Sequence, residues 1–413
     1  MKKYFIKSDK CRLCESYSVQ RILKLPSCPP GEQLRVSSNQ KVINVPIDLF
    51  QCQDCFHVQI LHVPLKTIMW NKDYTFMPSY NLEIVKHSKN TIRYFCEKFR
   101  PKIKKAFEIG SNDGLFLSLL KKKLRCEVLG IDPSAIPRKF AIKQSIPTIN
   151  GFFNENYSKK IIKKHGKFDL VIANNVFAHV DNLDEMVNGI CNLLEEDGYF
   201  IFEISYLVDV LQKKLLGTII HEHLSIHSLT SLKIFFLKFN LEIIDIIHSS
   251  KIQGGALIGF VRKKNINKIS KKVNLYLKKE KKIGLNRKGG LIKYENKFNK
   301  EINKFICKIK KLCLNKNIIC YGASRSLPAI VKILKLENKI RYILDDNKFK
   351  FNKYAPLKSI KILDSKKYYY DPNDFYLITG WVHTKKILKK LRRIIVGSKN
   401  FITIYPKFDI FFK

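Results

Sequence analysis

The stretches AFEIGSNDGLF (Ala106–Phe116) and LGIDPS (Leu129–Ser134) mark the central part of this chain as an α/β domain. In each stretch an apolar run of strand length ends at a polar turn, and a helical pattern follows the first turn. Gly110 and Gly114 allow the backbone to approach a ligand closely, and the helix N-terminus offers free N–H groups. Asp132 ends the second run, where an acid can hold two ribose hydroxyls. The two stretches therefore predict a nucleoside site.

The glycine loop lacks the two common phosphate-binding fingerprints. It reads G-x-x-x-G, which is neither the dinucleotide motif G-x-G-x-x-G nor the P-loop motif G-x-x-x-x-G-K-[ST], and it contains no lysine. A ligand with a ribose but no phosphate fits this loop better, so the sequence favours S-adenosylmethionine. We assign to the predicted cofactor site Glu108, Gly110, Asn112, Gly114 and Asp132.

A further pair of polar residues follows the strand pattern FDLVIA (Phe168–Ala173). Asn174 and Asn175 stand where the carboxyl ends of strands line the ligand crevice of a doubly wound sheet. Their amides can contact the amino acid part of the cofactor or a substrate, and helix capping is an equally good interpretation. For His179 we favour a packed histidine at a helix start over a site residue.

Composition bounds the class of protein. A chain of 413 residues with 45% hydrophobic residues is expected to form two or three globular domains. The net charge of +42 invites a nucleic-acid interpretation. The lysines are spread over the whole chain, so we favour solvated surfaces and expect no nucleic-acid partner. A positive field would still favour an acidic small substrate.

No targeting or membrane signal stands out. The chain has no run of 18 uncharged apolar residues, so we expect no membrane span. The first ten residues, MKKYFIKSDK, lack the apolar region of a signal peptide. We therefore expect a cytoplasmic location, with the 11 cysteines as thiols or metal ligands rather than disulfides.

Two C-x2-C pairs dominate the first 70 residues. The pairs are separated by 37 residues, and their four thiolates can complete a tetrahedral zinc site with no open position. The zinc would therefore be structural, and the alternative is a set of free or redox-active thiols. The predicted ligands are Cys11, Cys14, Cys52 and Cys55.

Three histidines and one carboxylate crowd into seven residues of IIHEHLSIHS (Ile219–Ser228). Histidine is the side chain best suited to moving protons near pH 7, and a neighbouring Glu can orient it. The spacing does not match the metal motif H-E-x-x-H, so the segment is an acid–base candidate or a surface loop.

The alternation of strand and helix patterns divides the chain into three parts, residues 1–70, 71–248 and 249–413. The third part opens with lysine-rich helical patterns broken by GLNRKGG, and a second α/β pattern follows. Its glycine turn at Gly322 and the acids Asp345 and Asp346 either hold the nucleotide part of a substrate or serve as scaffold.

The order of these motifs resembles one family. The C-x2-C pairs are followed by DYTFMPSYN, EIGSNDG, GIDP, ANNVFAHV, HEHLS, IQGGAL and YGASRS. Over almost the whole chain this is similar to the S-adenosylmethionine-dependent sugar C-methyltransferases, whose studied members methylate C3 of dTDP-4-keto-6-deoxy sugars. The resemblance implies an N-terminal zinc-binding domain, a Rossmann-like class I methyltransferase domain and a C-terminal doubly wound α/β domain.

The resemblance also implies roles for individual residues. His223 would remove the proton next to the keto group, with Glu222 as its partner or as a ligand of a sugar hydroxyl. His221 belongs to the same catalytic stretch, and Ile220 stands where the family has a tyrosine. Tyr74 matches an aromatic position of the family, Phe76 stands where a second tyrosine is common, and Tyr80 is a further substrate-binding candidate.

We therefore expect a C-methyltransferase that acts on a nucleotide-linked keto-deoxy sugar, as a monomer or a weak homo-oligomer. Methylation of a hydroxyl or amine on a related glycan precursor is one alternative, since it needs the same cofactor but no base for a carbon acid. The other alternative is a non-catalytic zinc-ribbon protein that binds nucleic acid.

Overall fold

The computed structural model describes residues 4–31, 33–65, 68, 76–264, 268–395 and 400–411. Within these residues the chain forms four β-sheets, two of them large. The predicted α/β fold class, with a small N-terminal domain and two α/β parts, is confirmed. In the described part of the chain no helix is long and apolar enough to cross a membrane.

The N-terminal part contains a two-stranded and a four-stranded antiparallel sheet. Its strands are β1 (Phe5–Lys7), β2 (Val19–Leu23), β3 (Leu49–Cys52), β4 (Val58–Gln59) and β5 (His62–Pro64). β1 pairs with β5, and the larger sheet has the order β11-β4-β3-β2, in which β11 (Ser225–Ile226) comes from far along the chain. The C-x2-C pairs therefore flank a sheet that includes the segment between His223 and His227.

The central sheet has seven strands in the order β12-β13-β10-β9-β6-β7-β8. Strands β6 to β10 run parallel, and β13 is antiparallel to both of its neighbours. Chain order reverses between β6 and β9, and this reversal opens the crevice in which doubly wound sheets bind ligands. The strands are β6 (Lys105–Ile109), β7 (Glu127–Asp132), β8 (Thr148–Asn150), β9 (Phe168–Asn174), β10 (Leu194–Ser205), β12 (Leu241–Ser249) and β13 (Ala256–Lys263).

Amphipathic helices cover the central sheet. The first, α1, buries Ser88, Thr91, Ile92 and Phe95 against it and is capped by the side chain of Asn81. The helices of this part are α1 (Leu82–Phe99), α2 (Leu115–Leu124), α3 (Ala135–Lys143), α4 (Glu155–His165), α5 (Leu183–Leu193), α6 (Leu207–Lys213) and α7 (Leu229–Leu237).

The third part starts with the lysine-rich helices α8 (Lys271–Lys282) and α9 (Tyr294–Leu312), separated by a break that contains GLNRKGG, as the sequence predicts. A six-stranded sheet follows in the order β16-β15-β14-β17-β18-β19, parallel except for the last strand. Its elements are β14 (Ile318–Tyr321), α10 (Leu327–Ile333), β15 (Ile340–Asp345), β16 (Ile362–Asp364), β17 (Phe375–Ile378), α11 (Thr384–Ile394), β18 (Phe401–Thr403) and β19 (Asp409–Phe411).

One apolar cluster joins the N-terminal and C-terminal parts. It contains Ile60 from the N-terminal part, Leu215 and Ile226 from the segment around the three histidines, and Ile330 from α10. Each of these side chains is at most 2% exposed. The borders at residues 70 and 248 stay a prediction, because packing crosses both.

Candidate active site

A large cavity of about 1190 Å³ lies where the three parts meet. Its wall includes Val63 from the N-terminal part, the glycine loop at Gly110, His223 and, from the C-terminal part, Arg325 and Trp381. The carboxyl ends of parallel strands from both large sheets open into it, which is where α/β proteins bind ligands.

The glycine loop is held open by backbone geometry. Gly110 has φ of +67°, and a Cβ at this position would lie 2.7 Å from Cγ2 of Val176. Gly114 has φ of +76° and begins α2, and a side chain there would press on Ile146 and Ala141. Both positions therefore require glycine, and the loop exposes its backbone to the cavity.

Asp132 and the loop are joined directly. Oδ2 of Asp132 accepts from the backbone N–H of Asn112 at 2.9 Å, and Oδ1 accepts from that of Ser134 at 2.7 Å. Burial raises the pKa of this carboxyl, although those N–H groups oppose the change. Each oxygen keeps a lone pair for a ribose hydroxyl.

Glu108 lies at the other end of the loop, 4% exposed. Its Oε1 accepts from Nδ2 of Asn174 at 3.1 Å, whereas its Oε2 and the Oδ1 of Asn174 have no hydrogen-bond partner among the described residues. Burial raises the pKa of Glu108 well above its usual range. Unpaired polar atoms on a cavity wall fit the donors and positive charge of an amino acid moiety, as in S-adenosylmethionine.

Asn174 and Asn175 point to opposite sides of β9. Asn174 reaches Glu108 on β6, whereas Asn175, with φ of +55°, donates from Nδ2 to Oε1 of Glu203 on β10 at 3.1 Å. Neither side chain caps the following turn, whose N-cap residue is Val176. We propose that the two amides divide the crevice into a cofactor half beside β6 and an acceptor half beside β10.

His223 lies in a tight turn that faces the cavity. Its Nδ1 donates to the carbonyl oxygen of Thr218 at 2.6 Å, so the lone pair of the neutral ring is on Nε2. Burial, opposed by this hydrogen bond, lowers the pKa of His223 to about 4, and the charge of Arg325 lowers it further. The ring is therefore neutral, and able to accept a proton, near pH 7.

The other predicted members of this stretch do not line the cavity. His221 is 1% exposed and donates from Nε2 to the carbonyl oxygen of Val45 at 3.0 Å. Glu222 is also 1% exposed, and its carbonyl oxygen accepts from Nδ1 of His179 at 2.7 Å. His179, for which packing is the favoured expectation and a site role the alternative, lines the cavity, and its ring lies 5.1 Å from that of His223.

The loop after β14, in the C-terminal part, repeats the hydrogen-bonding geometry of the glycine loop after β6. The backbone N–H of Gly322 donates to the carbonyl oxygen of Leu344 at 2.7 Å. The backbone N–H of Ala323 donates to Oδ2 of Asp345, also at 2.7 Å. Asp346 instead accepts from the hydroxyl of Tyr321, away from the cavity. Cationic side chains line this side of the cavity, namely Arg325, Lys350 and Lys386.

The substrate-binding candidates fare differently. Tyr80 lines the cavity but is 71% exposed, with its ring 6.0 Å from that of Phe140. Tyr74 lies outside the described residues. Sequence reasoning missed His87, Glu203 and the three cationic residues, because the only local signals are a helix-face histidine and a carboxylate at a strand end.

The four predicted zinc ligands come together. Their sulfur atoms all lie within 4.8 Å of one another, with Sγ of Cys11 3.4 Å from that of Cys55 and Sγ of Cys14 3.5 Å from that of Cys52. A zinc tetrahedron with bonds of about 2.3 Å separates its sulfurs by about 3.8 Å. The donor set therefore fits zinc.

Three family models match successive parts of the chain. They are described as "Putative zinc binding domain" for residues 11–70, "Methyltransferase domain" for residues 85–246 and "C-methyltransferase C-terminal domain" for residues 251–406. The chain is also 24% identical over 405 residues to the C-methyltransferase NovU of Streptomyces niveus, which covers 97% of this chain and 96% of that protein. These matches identify the chain as a C-methyltransferase that depends on S-adenosylmethionine.

Solved structures similar to this C-methyltransferase include the PH0226 protein of Pyrococcus horikoshii, at 16% identity over 47% of this chain and 100% of that one, with a TM-score of 0.38. A second is the magnesium protoporphyrin IX methyltransferase of Synechocystis, at 14% identity over 46% of this chain and 90% of that one, with a TM-score of 0.35.

This C-methyltransferase uses S-adenosylmethionine and binds zinc. We propose that Glu108, Gly110, Asn112, Gly114, Asp132 and Asn174 hold the cofactor. We also propose that the four cysteines hold the zinc.

Replacing Cys14 by Ser should release the zinc, because three thiolates and a hydroxyl bind it far more weakly. We expect about one zinc per chain in the wild type by elemental mass spectrometry and a small fraction of that in Cys14→Ser, together with a lower melting temperature. Cys307→Ser, an exposed cysteine in α9, is the matched control. Full zinc content in Cys14→Ser would contradict the assignment.

The buried histidines should make the protein sensitive to acid. Burial lowers the pKa of His221 to about 4, so below pH 6.5 the unfolded chain takes up a proton that the folded chain does not. The free energy of unfolding should therefore fall as the pH drops from about 6.5 to 4. In His221→Asn we expect the slope of that fall to decrease by about 1 kcal/mol per pH unit, measured by urea unfolding.

The half-buried His165, at the end of α4, gives the control variant His165→Asn, which should change the slope less. An unchanged slope in His221→Asn would mean that His221 is protonated in the folded protein.

Proposed function

We propose that this C-methyltransferase methylates the carbon next to the ketone of a nucleotide-linked keto-deoxy sugar, with His223 as the base. The observation that carries the proposal is the shared cavity, in which the cofactor loop, the neutral imidazole of His223 and the cationic C-terminal wall meet. Bound S-adenosylmethionine supplies an electrophilic methyl group on its sulfonium.

The state of His223 suits proton removal from a carbon acid. Its Nδ1–H is committed to the carbonyl oxygen of Thr218, which fixes the ring and leaves the lone pair of Nε2 available. Removal of the proton next to a ketone turns that carbon into a nucleophile, and positioning then favours attack on the methyl group. His221 and Glu222 are buried behind this turn, so we assign them to holding its shape.

The cationic wall suits a nucleotide. Arg325 and Lys386 face the cavity from the C-terminal part, and Lys350 donates to the carbonyl oxygen of Ala323 in the adjoining loop. Guanidinium and ammonium groups are the usual partners of phosphate oxygens. The cofactor loop offers no lysine, so a diphosphate fits the C-terminal side and places the sugar toward His223.

Replacing His223 by Asn should abolish proton removal. With a nucleotide-linked 4-keto-6-deoxy sugar in deuterium oxide, we expect the wild type to exchange the hydrogen next to the ketone and to transfer methyl to that carbon. Both rates should fall by a factor of about 10² to 10⁴ in His223→Asn, followed by NMR and mass spectrometry.

In the same experiment His165→Asn, away from the cavity, should exchange and methylate normally. Full activity of His223→Asn would eliminate this base, and methyl transfer to oxygen or nitrogen without exchange would eliminate the carbon acid. A panel of nucleotide keto sugars, scored by mass gain, identifies the nucleotide and the sugar.

Removing a cation from the wall should weaken binding of the nucleotide sugar. Lys386→Ala should raise KM for this substrate roughly tenfold, with kcat and the affinity for S-adenosylmethionine little changed. Lys385→Ala is the matched control, since Lys385 is the adjacent exposed lysine of α11 and does not line this cavity. Equal effects of both substitutions would indicate general charge rather than a phosphate site.

A further inference from the structure

A hydrogen-bonded pair of a histidine and a glutamate lines the cavity, and neither the motifs nor the proposed base uses it. Nε2 of His87, in α1, lies 2.9 Å from Oε2 of Glu203, at the carboxyl end of β10. Both side chains are at most 10% exposed. The other carboxylate oxygen of Glu203 accepts from Nδ2 of Asn175, so both of its oxygens are engaged and its position is fixed.

The pair belongs to the acceptor half of the crevice. β10 lies on the far side of β9 from β6 and β7, the strands whose ends carry the glycine loop and Asp132. Ser205, two residues after Glu203, also lines the cavity, as do Gln253 and Ile220. Ile220 has no group that can donate a hydrogen bond.

One end of the His87 ring remains available. Nε2 is directed at Glu203, and among the described residues no hydrogen bond involves Nδ1. Burial disfavours the charged ring, but the hydrogen bond to Glu203 and its charge together raise the pKa of His87. A protonated ring would donate from both nitrogens, one to Glu203 and one into the cavity.

The proposed reaction needs a donor at a second place. When the carbon–hydrogen bond breaks, the proton passes to Nε2 of His223 and negative charge develops on the ketone oxygen. The carbon then bonds to the methyl group, and the electron pair of the carbon–sulfur bond leaves with sulfur. Donors aimed at a developing oxyanion supply much of the rate in such reactions.

Resting on the proposed function, we propose that His87, held by Glu203 and Asn175, donates a hydrogen bond from Nδ1 to the ketone oxygen of the acceptor. His87 keeps its proton throughout and stabilises the enolate, while His223 takes the proton from carbon. The acceptor half would thus contain a neutral histidine as base and a charged histidine as oxyanion donor.

The test compares two substitutions at His87, measuring both solvent deuterium exchange and methyl transfer. His87→Leu removes the donor and should lower kcat for both steps by a factor on the order of 10² to 10³. His87→Gln keeps a neutral donor and should lose about tenfold. The affinity for S-adenosylmethionine, by calorimetry, should change by less than about twofold in both.

Glu203→Gln tests the role of His87 through the pH dependence of kcat, which a purely structural role of His87 would not change. Glu203 is the charged group that acts on His87 among the described residues, and its loss should lower the pKa of His87. The alkaline limb of the kcat profile should therefore shift to lower pH in Glu203→Gln. Melting curves of all variants check folding, and His165→Asn is the control.

The outcomes separate this inference from the proposed function. If the wild type neither exchanges nor methylates any keto sugar, the proposed function fails. If the wild type does both and His87→Leu keeps its kcat, or if His87→Leu mainly weakens S-adenosylmethionine binding, the inference is overturned. Equal losses in His87→Leu and His87→Gln would also overturn it.

Discussion

The active site depends on the contacts between the zinc-binding part and the turn that carries His223. Arg12 lies between two of the cysteines, and its guanidinium donates to the carbonyl oxygens of Ile60 and Leu224 and to the carboxylate of Asp181. Next to it, β11 pairs with β4. A residue between two predicted zinc ligands therefore fixes the backbone beside His223, the proposed base. Burial lowers the pKa of this guanidinium, and these acceptors stabilise its charge. Zinc is structural in its chemistry, yet the turn in the active site is built on it.

The crevice separates two chemical tasks by side-chain direction. Asn174 ends β9 and its amide reaches Glu108 on β6, whereas the positive φ of Asn175 turns its amide toward β10. The proposed cofactor half then contains a buried carboxyl of raised pKa, and the proposed acceptor half contains the hydrogen-bonded pair of His87 and Glu203. The two carboxyls, Glu108 and Glu203, lie on either side of β9, and each accepts a hydrogen bond from its own asparagine amide.

Features encoded within a few residues could be predicted from the sequence. Three such features are explained by residues close to them in sequence. They are the two C-x2-C pairs, the positive-φ glycines and the acid at the end of β7. The direction of His221 and Glu222 could not be predicted, because it depends on a turn whose shape is set by pairing with β4. The pairing of His87 with Glu203 spans 116 residues and two elements, and no local pattern encodes it.

The two α/β parts share one loop geometry but differ in the charges around that loop. In both, an N–H of the loop after the first strand donates to the acid that ends the next strand, Asn112 to Asp132 and Ala323 to Asp345. The first loop adds no cation, whereas Arg325 follows the second and Lys350 donates into it. Since the geometry is shared, charge decides the ligand, so an uncharged ribose suits the first loop and a phosphate the second. The proposed function then puts the methyl donor and the nucleotide-bound acceptor on opposite sides of the cavity between the two loops.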